Sequence, residues 1–148
     1  MSIPSFLVTI MHLTGIVQIV LAASHVLFPK SLGWREELAR LSPVNRQIFW
    51  VHTYFIVLIL LLFGLLAVFF APELTTHPSR LAKAVVAGQM VFWAFRLYAQ
   101  FFVYTPDLWR GHRRNTMVHI VFTALWLFLA TVYAAVLIYQ VQAVQSSG

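Results

Sequence analysis

From Gln47 to Pro72 the chain carries no Lys, Arg, Asp or Glu, and neither does anything before Lys30 or after Arg114. Uncharged runs of this length leave few folds open. A helix rises about 1.5 Å per residue, so roughly 20 apolar residues cross the hydrocarbon core of a bilayer. In lipid, a helix is the one structure that satisfies its backbone hydrogen bonds within a single segment. A soluble core is excluded by balance: 61% of the residues are hydrophobic and 9% charged, against roughly 25% charged in a soluble domain. The sequence therefore predicts an all-α integral membrane protein.

The runs divide into four expected transmembrane helices, at about 4–28, 48–71, 84–104 and 116–140, within a single domain covering residues 1–148. Short connections between them imply an up-down bundle of antiparallel neighbours. Leu21-Ala-Ala-Ser24 has the small residues of a signal-peptidase site. However, no basic residue precedes the run, and its apolar stretch exceeds the roughly 7–15 residues of a signal-peptide core. In the first loop, residues 29–47, Trp34, Leu38 and Leu41 recur at helical spacing. That spacing predicts a short amphipathic helix lying at the interface. Ser42-Pro43 reads as an N-cap followed by a first-turn proline. The second loop holds Pro72 and Pro78, Pro106 stops the third span, and residues 145–148 form a polar tail expected to lack structure.

The net charge of +6 is distributed as a topology signal. Loops one and three hold seven of the ten Lys and Arg, loop two holds Arg80 and Lys83, and Arg96 alone lies within a span. By the positive-inside rule the two basic loops are cytoplasmic and both termini face outward. No basic, aromatic-interleaved stripe points to nucleic acid. With no cysteine, thiol chemistry and disulfides are excluded.

Arg96 is the exception that defines a candidate site. At 100° per residue Gln89, Trp93, Arg96, Gln100 and Tyr104 share one face of the third span, and Val91, Phe95, Tyr98 and Phe102 share the other. A buried cation costs several kcal/mol unless it is paired or reaches the interface. The four acids Glu36, Glu37, Glu73 and Asp107 all lie in loops, so no carboxylate is expected at the depth of Arg96. Its charge is left to Gln100, Tyr104, backbone carbonyls, the face of Trp93, or the anion of a ligand. Such a ligand includes a haem propionate, a phospholipid phosphate, a fatty carboxylate or an isoprenoid diphosphate.

Helical rise from the cytoplasmic ends also places His25, His52, Gln100 and His119 roughly 5–7 Å inside, and Gln18, Arg96 and Thr123 roughly 13–15 Å inside. Imidazoles on facing helices bind transition metals or, in pairs, the iron of b-type haem. The first functional expectation is thus a cofactor, haem b or a transition metal, held by His25, His52 and His119 with Arg96 beside it, in redox or electron transfer. The alternative is a membrane enzyme or binding protein. Its anionic lipid or isoprenoid would be held by Arg96 with Gln18, Trp93, Gln100, Tyr104 and Thr123, and a histidine would act as general base. A further alternative is a structural subunit, as a homo-oligomer or in a larger membrane complex, whose polar stripes meet each other and a partner helix. In length, basic charge and inferred topology the chain is similar to the four-span glutathione-transferase-like membrane family. The arginines and glutamate of that family's site have no match here, so the likeness implies a fold and no site residue.

Overall fold

The computed structural model describes residues 2–76 and 79–145. Pro78 and the last three residues of the tail lie outside the described residues. The described chain is all helix and turn, with no strand. In order the helices are α1 Ile3–Ser24, α2 Phe28–Ser31, α3 Trp34–Ala39, α4 Pro43–Phe69, α5 Ala71–Thr75, α6 Arg80–Phe102 and α7 Arg113–Gln145. A short 3-10 turn, Pro106–Leu108, connects the last two.

Three helices are long and apolar enough to cross a membrane: α1, α4, and α7 over Arg113–Ala143. Their large apolar side chains turn outward in number: Phe55, Leu58 and Leu62 on α4, and Ile120, Val121 and Leu127 on α7, are all exposed. Such a surface suits lipid and not water. The fourth expected span, α6, is of comparable length but is not among the three. Its polar stripe is the reason, since Gln89, Arg96 and Gln100 dilute an otherwise apolar segment.

The local sequence accounts for the helix ends. Ser42 caps α4 as its sequence predicts, its Oγ accepting from the Asn45 backbone N–H at 3.3 Å. Ser79 does the same for α6, accepting from Ala82 N–H at 3.0 Å. Each satisfies one of the orphan donors of a first turn. α1 stops at Ser24, a turn earlier than expected, and the Ser24 hydroxyl and His25 ring both donate to the Leu21 carbonyl, at 2.7 and 2.8 Å. His25 therefore works as a C-terminal cap.

The interfacial segment differs from expectation. In place of one amphipathic helix there are two short ones, α2 and α3, separated at Gly33, whose φ of 68° is left-handed. A right-handed helix cannot run through that conformation. Leu38 is buried, whereas Leu41 falls beyond α3 and is exposed. Trp34 joins the segment to the start of α4 by edge contacts with Phe49 at 5.0 Å and Trp50 at 6.3 Å.

Two compact units divide the chain, residues 1–10 with 72–148, and residues 11–71. Within the second, α1 and α4 meet at Gly15 and Gly64. A Cβ at Gly15 would lie 2.7 Å from the Gly64 carbonyl oxygen, and one at Gly64 would lie 2.9 Å from that of Gly15. The two backbones touch because neither residue has a side chain, the means by which small residues join helices in lipid. Within the first unit, α6 and α7 pack together along much of their length. The buried residues of α6 are Ala82, Val86, Gln89, Trp93 and Gln100, with half-buried Arg96 in the same series. Those of α7 include Trp126, Leu129, Tyr133, Val136 and Gln140. Both series alternate steps of three and four, the seam of two helices packed side by side.

Candidate functional site

Near the loop end of this seam the polar groups of α6 and α7 connect. Gln100 is buried at 4% exposure. Its Oε1 accepts from Arg96 Nη1 at 3.4 Å and from Trp126 Nε1 at 3.2 Å. Its Nε2 lies 2.6 Å from Nδ1 of His119. A guanidinium and an indole N–H only donate, so they fix which end of the amide is the oxygen. The amide nitrogen must then donate to His119, whose Nδ1 is the acceptor. The neutral imidazole consequently carries its proton on Nε2.

Arg96 is half-buried, and its cation lies 4.6 Å from the ring centre of Trp126 and 5.5 Å from that of Tyr104. Both are within cation–π range. Helical side chains normally lean toward the N-terminus, yet Arg96 reaches one and two turns the other way, to Gln100 and Tyr104. That direction leads to the basic loop and the nearer helix end. Among the described residues the groups that meet its charge are neutral: an amide oxygen and two ring faces.

The loop folds back over the site. Asn115 Nδ2 donates to the Leu108 carbonyl at 2.9 Å, and the Thr116 hydroxyl to that of Trp109 at 2.9 Å. Gly111, at φ 79°, makes the reversal. These contacts hold the Trp109 ring stacked on His119, 3.9 Å between centres and 16° from parallel. Arg110, Arg113 and Arg114 are exposed around this mouth, and the first turn of α7 holds no acid. The positive end of the helix dipole adds to their charge.

Of the residues singled out by sequence, Arg96, Gln100, Tyr104 and His119 are brought together here, and Trp93 meets them only through its stacking on Trp126. The face of α6 expected to be apolar is exposed at Val91, Phe95, Tyr98 and Phe102, as its spacing predicts. Thr123 is engaged with its own helix, its hydroxyl donating to the His119 carbonyl at 2.7 Å. Trp126, and not Trp93, supplies the ring face nearest the Arg96 cation. Trp109 is not among the residues that spacing singles out, because a loop residue ten positions before His119 carries no periodic signal.

The remaining candidates lie in the other unit. Gln18 is fully buried on α1 together with Thr14 and Ala22, the face its spacing predicts. His25 is half-buried and His52 exposed. His52 Nδ1 donates to the Ile48 carbonyl at 2.9 Å, as His25 does to Leu21. Both rings therefore keep Nε2 as an acceptor, the opposite tautomer to His119. Among the described residues no three His, Asp or Glu side chains gather to hold a metal ion.

The fold and site together define a helical, membrane-type protein with a cationic, aromatic-walled polar cluster in one helix pair. No family model matches the chain, and no curated protein or solved structure matches it either.

Proposed function

We propose that this chain spans the bilayer four times, with α6 as the additional span, and binds an amphiphile whose anionic head sits at Arg96. The two basic loops lie at the cytoplasmic face and both termini outside. A phospholipid phosphate, a fatty carboxylate and an isoprenoid diphosphate share the required chemistry. The observation that carries this reading is the Arg96 cation, half-buried against Trp126 and Tyr104 and bonded to a neutral amide, with no carboxylate partner among the described residues. An anion completes it through charge-assisted hydrogen bonds. Nε2–H of His119 is a second donor, and the basic mouth raises the local concentration of anions. His119 has no free basic nitrogen in this arrangement, so the geometry favours holding a ligand over abstracting a proton.

The test is binding to purified protein in nanodiscs, comparing oleate with its uncharged amide and farnesyl diphosphate with farnesol. The anionic member of at least one pair is expected to bind preferentially, and Arg96→Gln to weaken it by roughly 10- to 100-fold, the value of one charge-assisted hydrogen bond. Equal binding by wild type and Arg96→Gln would overturn the reading.

A second reading, b-type haem or a transition metal with a redox role, is favoured by the Nε2 lone pairs of His25 and His52. An imidazole whose other nitrogen donates to a backbone carbonyl is oriented as metal ligands are. A Soret band, or about one metal per chain, lost in His25→Ala and His52→Ala, is its expected signature. Colourless, metal-free protein that is fully folded would exclude it.

A further inference from the structure

The face of α6 that carries Arg96 continues inward with two side chains the cationic cluster does not use. Gln89 and Trp93 are each 1% exposed. Among the described residues, neither amide atom of Gln89 nor the indole nitrogen of Trp93 finds a hydrogen-bond partner. Buried polar atoms are nearly always satisfied, and a leucine and a phenylalanine would fill the same space without the cost. Packing fixes the Trp93 ring, stacked on Trp126 at 5.4 Å and edge-on to Phe92 at 5.1 Å. Its N–H direction is therefore set by the fold.

These three atoms lie on the stripe that leads away from the basic mouth. The Arg96 cation reaches to the level of Gln100, and helical rise places Trp93 roughly 10 Å and Gln89 roughly 16 Å from that level along α6. We infer that Gln89 and Trp93 form a second polar subsite, and that the amphiphile held at Arg96 carries a hydroxyl part-way along its chain, roughly 10–16 Å from the anionic head. The inference rests on the anion-binding reading. A hydroxyl is the group that fits all three atoms. Its oxygen accepts from the Trp93 indole and the Gln89 amide nitrogen, and its proton goes to Gln89 Oε1. A carbonyl would leave Oε1 unmet, and an unsubstituted alkyl chain would meet none of them.

The experiment compares stearate with hydroxystearates substituted at successive mid-chain positions, on the full chain in nanodiscs. At least one hydroxystearate is expected to bind about 10-fold tighter than stearate, the value of one to two net hydrogen bonds. Gln89→Leu should abolish that preference and leave stearate binding intact, which also shows that the variant folds, and Trp93→Phe should likewise abolish the preference. If every hydroxystearate binds wild type no better than stearate, the second subsite is overturned while anion binding at Arg96 stands. The same holds if the preference survives both substitutions. If neither acid binds, or Arg96→Gln changes nothing, the anion-binding reading fails and this inference falls with it.

Discussion

Gln100 shows how much a single neutral side chain decides. Two obligate donors at its oxygen leave its nitrogen to donate, and that choice sets the tautomer of a histidine on the next helix. The three histidines grouped by depth in the sequence thereby separate into two kinds. His119 carries its proton on Nε2, whereas His25 and His52 carry theirs on Nδ1, facing backbone carbonyls. Nitrogen NMR of histidine-labelled protein at alkaline pH should resolve this, with His119 the one of these three that is the Nε2–H tautomer. Gln100→Leu should release it to a mixture of both. A spectrum with all three histidines in one tautomer would contradict the hydrogen-bond pattern. That Arg96 needed a partner was readable from the sequence, because no acid lies within any span. That Trp126 and Gln100 share the task was not, since it depends on the register between two helices, which neither helix encodes alone.

At the scale of elements, the sequence was most legible where one helix answers to a single period. The polar and apolar faces of α6, the Ser42 cap and the buried Thr14–Gln18–Ala22 face all follow from local spacing. Contacts that need two segments were harder to read. Gly15 and Gly64 look like unremarkable glycines in apolar runs, yet their backbones are in contact. Gly33 divides the interfacial segment through one left-handed residue, which hydrophobic spacing does not register. Close approach at Gly64 leads to a sharp expectation. Gly64→Val must separate the helices or displace Ile19, 2.7 Å from the new Cβ, and should destabilise the protein by about 1–3 kcal/mol. Gly88→Ala, with nothing within 4 Å of its Cβ, should be neutral or mildly stabilising through helix propensity. Thermal unfolding in one detergent compares the two directly. Equal stability of both variants would mean that the Gly15–Gly64 contact does not hold α1 against α4.

For the whole molecule, the question is whether α6 crosses the bilayer with α1, α4 and α7. Its apolar content is reduced by the residues that build the polar cluster, Gln89, Arg96 and Gln100 among them. Physical reasoning favours crossing. The outward face of α6, Val91, Phe95, Tyr98 and Phe102, is as exposed and apolar as that of its neighbours. The polar face packs on α7, where Gln100 and Arg96 find partners away from lipid. A span with one polar face buried in protein is tolerated where the same residues facing lipid are not. The chain contains no cysteine, so single thiols report sidedness without background. With four spans, Ser31→Cys and His112→Cys should react with an impermeant maleimide from the same side, and Glu73→Cys from the opposite side. With three, Glu73→Cys and His112→Cys would react together, opposite Ser31→Cys. In that arrangement loops two and three would share a side, and Arg96 would no longer lie at depth. An exposed cation at the surface would need no ligand, so this labelling pattern tests the physical basis of the anion site as well as the topology.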